Sequence, residues 1–245
     1  MGPRSSSHGW GGQSVETTVV ASRQLTPFTH GIMVQKPADF LFRPTQFTFL
    51  SLRTGEGTDV RPMSIATSPT RPNLEYAVRV SDSSFKRAFA SLRPGDSVKV
   101  QGPFGRFLLK EDRPAVLLAG GIGITPLKGM AEYAQDTALP IPVRLVYSNR
   151  SEDEIAYRAE LEELQRRNPR FRVLNTLTGK VAKGWDGYVG RIDARLLQDA
   201  TRGLKGPVYY VCGKTSMVGE MLRLLSESGV PEPDVLVEVF RGYQS

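Results

Sequence analysis

A run of glycines is the most chemically suggestive stretch of this chain. Ala115-Val116-Leu117-Leu118-Ala119 leads into Gly120-Gly121-Ile122-Gly123-Ile124 and then Thr125-Pro126-Leu127. The first five residues are small or apolar, as a buried parallel strand requires, and Thr125 and Pro126 suit the N-cap and first turn of a helix. Glycines between strand and helix leave the backbone open to close approach. The helix N-terminus adds free N–H groups and partial positive charge, which suit a pyrophosphate. A glycine turn with no ligand has the same pattern, and Pro126 stands where the dinucleotide fingerprint has its third glycine.

Four further clusters carry chemistry. Arg61-Pro62-Met63-Ser64, read as the start of a strand, offers a forked guanidinium for a diphosphate and a small hydroxyl that can lie beside a flat ring. Ser83-Ser84-Phe85-Lys86 opens a short helix with hydroxyls, free N–H groups and an ammonium, again a phosphate chemistry. Tyr210-Val211-Cys212-Gly213 ends a strand where α/β sheets bind ligands, a place where a lone cysteine also serves as a small buried apolar residue. Glu238-Val239-Phe240 sets a carboxylate and an aromatic ring on a last strand, where Phe240 either covers a flat cofactor or packs. The two histidines, His8 and His30, lie outside every cluster.

Two kinds of element must hold these groups. From Val15 to about Leu109 short alternating segments dominate: Thr17 to Ser22, Gly31 to Gln35, Gln46 to Leu52, Leu74 to Val80 and Ser97 to Gln101, with one helix near Ser84 to Ser91. Turn signals such as Thr54-Gly55-Glu56-Gly57 and Arg93-Pro94-Gly95-Asp96 separate them, a spacing that predicts an antiparallel β-barrel. Past Arg113-Pro114 strands alternate with helices. Ala115 to Ala119 leads to a helix from Pro126 to Gln135, Val143 to Tyr147 to one from Glu154 to Arg167, and Val208 to Val211 to one from Ser216 to Ser228. Phe171 to Leu177 precedes a loop and Val235 to Val239 closes a parallel α/β sheet.

Composition bounds the function. The 245 residues suffice for two domains, and no apolar run approaches the roughly 20 residues that span a bilayer. Met1 to Gln13 lacks the apolar centre of a secretory signal, so the expectation is a cytoplasmic protein whose Gly/Ser-rich opening is a loose tail or an expression remnant. The single cysteine, Cys212, excludes an internal disulfide, an all-cysteine zinc site and a cysteine-held iron–sulfur cluster; any such cluster belongs to a partner. The formal charge is +7, of which the first 112 residues carry +5, an excess that suits an acidic partner or a phosphorylated ligand. No helix-turn-helix, finger or basic–aromatic interleaving points to nucleic acid.

Taken in order, Arg61-Pro-Met-Ser64, Gly102-Pro-Phe-Gly105, Gly120-Gly-Ile-Gly-Ile-Thr-Pro126, Cys212-Gly213 and Glu238-Val-Phe240 resemble the ferredoxin–NADP reductase superfamily of flavoproteins, over Val15 to Tyr243. The resemblance implies a tail at 1–14, an FAD-binding β-barrel over 15–112 and an NAD(P)-binding α/β domain over 113–245, with hydride chemistry towards the nucleotide and one-electron transfer to a protein partner. By position, Arg61, Pro62 and Met63 would bind the flavin, Ser64 would approach its reactive nitrogen, and Val78 would line the same site. Ser84 and Lys86 would take the diphosphate, which favours FAD over FMN. Gly121, Gly123, Thr125 and Pro126 would hold the nicotinamide dinucleotide, and Cys212 and Gly213 would border its ring. Glu238 would help set the hydride-transfer geometry, and Phe240 or Tyr243 would cover the flavin face. The chain departs from the family at Met63, where a tyrosine usually stacks on the flavin, and at Thr45, where many members have glycine.

The choice of nucleotide rests on the loop after the second α/β strand. In the segment that starts at Ser148, Arg150 and Arg158 would pair with a 2′-phosphate with Tyr157 stacking on adenine, whereas Glu152-Asp153-Glu154 would either offset the arginines or serve as N-terminal helix charges. NADP(H) is favoured and NAD(H) remains open. Three readings follow: a reductase for ferredoxin, flavodoxin or another acidic carrier; the reductase subunit of a multi-component oxygenase; or a non-catalytic flavin-binding regulatory module.

Overall fold

Strict alternation builds the first half of the protein, seen in a computed structural model that describes residues 13–240. Its strands are β1 (Gln13–Thr26), β2 (Thr29–Gln35), β3 (Phe47–Thr54), β4 (Gly57–Ser64), β5 (Asn73–Arg79) and, after helix α1 (Ser84–Ser91), β6 (Ser97–Phe104). In β6 the side chains of Val98 and Val100 are buried while Ser97, Lys99 and Gln101 face solvent. The strands pair antiparallel in the order β4-β3-β6-β1-β2-β5. The sheet curls until its ends meet: just past β4 the Ala66 amide donates to the Glu75 carbonyl of β5 at 2.8 Å. Val19, Ile32, Leu50, Leu74, Tyr76 and Val100 fill the interior, joined by Phe85 and Phe89 of α1.

The second half is a parallel sheet in the order β10-β9-β8-β7-β11-β12. Its elements are β7 (Ala115–Gly120), α2 (Ile124–Asp136), β8 (Val143–Asn149), α3 (Arg158–Arg167), β9 (Phe171–Leu177), β10 (Tyr188–Val189), α4 (Ala194–Thr201), β11 (Val208–Lys214), α5 (Thr215–Glu227) and β12 (Val235–Phe240). The continuous apolar run of β7 is buried on both faces. Ala115, Leu117 and Ala119 join the cluster that includes α2 and α3, and Val116 and Leu118 join the one that includes α4 and α5. The chain leaves β7 towards β8 on one side while β11 lies on the other, so a crevice opens between the carboxyl ends of β7 and β11.

An antiparallel barrel followed by a parallel α/β sheet is the architecture expected from the sequence, and the differences are local. Arg61 to Ser64 ends β4 rather than starting a strand, because residues 54–57 form a tight hairpin turn from which the strand already runs. Thr125 does not cap α2: a 3-10 turn over Gly121–Gly123 runs straight into the helix, so Thr125 sits inside the first turn and its hydroxyl donates back to the Ile122 carbonyl at 3.1 Å. The helix expected from Glu154 begins only at Arg158, since Tyr157 takes the left-handed conformation at φ 62°. The loop expected after β9 contains β10 and α4, the latter capped by Asp193, whose carboxylate accepts the Leu196 amide at 2.8 Å. Among the described residues no helix is long and apolar enough to cross a membrane.

Candidate active site at the seam of the two halves

The crevice is shaped by two glycines with different tasks. A Cβ on Gly123 would lie 2.3 Å from the Cys212 carbonyl oxygen, so this glycine lets the turn after β7 press against β11. Gly121 is left-handed at φ 51°, and a Cβ there would meet nothing within 4 Å. That open space over the turn leaves room for a ligand to approach the backbone. The Tyr147 hydroxyl donates to the Gly121 carbonyl at 3.1 Å and holds the turn from below. Thr125 and Pro126 are buried in the first turn of α2, and Gly213 is buried beneath the Met217 side chain.

Across the crevice the two halves meet through chemistry. Ser64, at the end of β4, donates from Oγ to Glu238 Oε1 of β12 at 3.1 Å. Burial pushes the Glu238 carboxyl up to about 7, only partly offset by the Ser64 hydrogen bond. Cys212 stands in register with Glu238 on the neighbouring strand. It is fully buried, and burial followed by the Glu238 charge pushes its thiol well above the ordinary range. Phe240 packs half-buried against the apolar cluster that contains Cys212. Tyr243 lies outside the described residues.

On the barrel side, Arg61 forms an ion pair with Asp59 and places its guanidinium 5.8 Å from the Phe85 ring centroid of α1, which brings it to the helix that carries Ser84 and Lys86. Ser83 caps that helix, accepting the Lys86 amide at 3.4 Å. Burial, then Lys214 and Arg79, push the Lys86 ammonium down. Lys86 and Lys214 thus approach from the two halves, with Arg79 beside them already paired with Glu154 at 2.7 Å, a setting for an anion. Lys214 and Arg79 carried no signal of their own in the sequence; they are found only by their approach to Lys86. Pro62 is exposed, whereas Met63 and Val78 are buried with the barrel core.

The nucleotide loop differs from expectation. Tyr157 is fully buried, its ring beneath Lys128 and Arg23, so it has no face to offer adenine. Arg158 is tied to Glu152 and Glu162 and lies over Trp185. Ser148 is half-buried at the end of β8, and Arg150 is exposed just beyond it. An open cavity of about 620 Å³ is lined by Ser151, Glu152, Asp153, Arg158, Lys180 and Ala182. Lys180 was missed in the sequence because the hydrogen bond that folds its loop back, from the Gly179 amide to the Arg150 carbonyl at 2.9 Å, spans elements.

The chain is similar to known proteins. Residues 117–222 match the family described as oxidoreductase NAD-binding domain. Ferredoxin–NADP reductase B of Sorangium cellulosum is 32% identical over 236 residues, covering 91% of this chain and 96% of that protein. The glycine betaine monooxygenase reductase subunit of Pseudomonas aeruginosa is 29% identical over 82% of this chain, which spans only 57% of that longer protein. The crystal structure of a ferredoxin NADP+ reductase from Neisseria gonorrhoeae with bound FAD and NADP superposes with a TM-score of 0.79 at 21% identity, covering 94% of this chain and 99% of that one.

Proposed function

Because this chain belongs to the ferredoxin–NADP reductase superfamily, we propose that it passes electrons between NADPH and a one-electron protein carrier such as ferredoxin or flavodoxin. It is an NAD(P)H-dependent flavoprotein oxidoreductase whose cofactors are FAD and NADP(H). FAD, when bound, supplies the conversion of a hydride into single electrons. The chain's own residues supply position. Arg61, Ser84 and Lys86 would hold a diphosphate, and Pro62 would face the ring system with Met63 and Val78 packed behind it in the barrel core. Gly121 and the start of α2 would hold the dinucleotide, with Gly123, Thr125 and Pro126 shaping the turn behind it, and Cys212 with Gly213 would form the floor beneath its ring.

One observation carries this reading: Ser64 and Glu238 meet at 3.1 Å across the two halves, beside the glycine turn. A carboxyl raised by burial to about 7 can take up or release a proton near neutrality, with Oε1 accepting from the Ser64 hydroxyl. Phe240 excludes water from the seam.

The acceptor is inferred from likeness to Ferredoxin–NADP reductase B, 32% identical over 91% of this chain. Likeness to the monooxygenase reductase subunit supports a second reading, in which the acceptor is a dedicated oxygenase component. We place the protein in the cytoplasm, a reading supported by the lack of a membrane-crossing helix among the described residues. Arg150 and Lys180 are the groups for a 2′-phosphate, against the carboxylates of Glu152 and Asp153. Steady-state reduction of ferredoxin, flavodoxin and an oxygenase component, run with each nucleotide, tests this. Ferredoxin or flavodoxin turnover with NADPH is expected, and exclusive turnover of the oxygenase component would favour the second reading. Arg150→Ala should raise the KM for NADPH far more than that for NADH; an equal effect removes it from phosphate recognition.

A further inference from the structure

We propose that Lys128 is a positioning residue for hydride transfer, locking the glycine turn to the strand end that carries Ser64; this rests on the function proposed above. Lys128 sits one turn into α2 and is 1% exposed, a rare place for an ammonium. All three of its protons have acceptors: Glu132 Oε1 at 2.7 Å, Glu75 Oε2 at 3.1 Å and the Ala66 carbonyl at 3.2 Å. Burial works to pull the ammonium down, but Glu75 and Glu132 outweigh it, and Lys128 is held above its ordinary value and charged.

The partners are what make the contact informative. Ala66 lies two residues past Ser64, and its amide is already bonded to the Glu75 carbonyl at 2.8 Å. Glu132, from the same helix as Lys128, accepts the Ser68 amide through its other oxygen at 3.0 Å. Glu75 also takes Arg23 at 2.9 Å, and Arg23 reaches Glu160 of α3 at 2.7 Å. The network therefore crosses the seam at Lys128, at Ser68 and at Arg23. Lys128 lies five residues after Gly123, about 7.5 Å along a rigid helix. A single ammonium thus ties the helix that follows the glycine turn to the backbone two residues past Ser64. Apolar packing of the same volume could hold the halves together as strongly, and the charged hydrogen bonds add direction to the contact.

The test uses the purified, flavin-loaded protein and Lys128→Met. Flavin content and the Kd for NADP+ should stay within about threefold of wild type, while single-turnover flavin reduction by NADPH slows at least tenfold. The long-wavelength charge-transfer absorbance of the nicotinamide–flavin pair should be lost, and the Ala66 and Ser68 amides should exchange with deuterium faster. The double variant Glu75→Leu/Lys128→Met should recover thermal stability without recovering rate or charge-transfer absorbance. If Lys128→Met does not fold, Glu132→Gln and the double variant carry the same readouts. A folded variant with wild-type rate and charge-transfer absorbance overturns the proposal, as does a double variant that regains rate along with stability. A colourless wild-type protein, or one that NADPH does not reduce, contradicts the functional reading instead.

Discussion

A single methyl group separates the tasks of the two crevice glycines. Gly123→Ala would set a Cβ 2.3 Å from the Cys212 carbonyl, and overpacking of this kind costs about 1–3 kcal/mol. It should lower the Tm and broaden unfolding. Gly121→Ala meets no atom but strains a left-handed backbone by about 1–2 kcal/mol, and its larger effect should be on the Kd for NADP+, because the methyl occupies the open space over the turn. Equal Tm losses with unchanged nucleotide affinity would remove Gly121 from the binding site. At Glu238 the sign of the pH dependence is fixed. The folded carboxyl titrates at about 7 against an ordinary 4.5, so its contribution to stability is complete below about 4.5 and is lost as the pH rises through about 7. Thermal unfolding followed across that window should show wild type losing stability relative to Glu238→Gln, and parallel curves would contradict the burial of this group.

At the scale of elements, α1 is eight residues long and depends on its cap, so Ser83→Ala should cost about 1 kcal/mol. It should also reduce flavin occupancy, because Ser84 and Lys86 would lose their orientation; a stability loss with full occupancy separates the cap from the ligand. Most elements were legible because period-2 and strand–helix rhythms are local properties. What was not legible is long-range. Ser64 and Glu238 are 174 positions apart, and no pattern in either segment announces the other. Tyr157 read as an exposed aromatic beside arginines, but its left-handed backbone turns the ring into the seam. Lys128 had a faint signal, a lysine among Leu127, Met130 and Ala131 with Glu132 four places on. Thr45 was noted only as a departure from glycine; the reason for glycine is plain in the structure, where Thr45 takes φ 75° and its hydroxyl bonds the Phe107 carbonyl.

For the whole molecule, a barrel that holds one ring and a sheet that admits another must keep a fixed relation, and the ionic network beneath the seam provides it. The net charge of +7 extends the argument outwards. Reduction of an acidic carrier should slow several-fold between low and physiological ionic strength, because screening shortens the reach of the field to about 8 Å; indifference to salt would argue against an acidic partner. The central claim is that nicotinamide delivers hydride at the seam marked by Ser64 and Glu238. Anaerobic stopped-flow mixing of the yellow protein with NADPH, protonated or deuterated at the transferred position, tests it most directly. The account predicts bleaching of the flavin within seconds, slower with deuterium and slower again in Ser64→Ala. A flavin-loaded protein that NADPH leaves oxidised, or that bleaches at the same rate with both isotopes and in the variant, would contradict it.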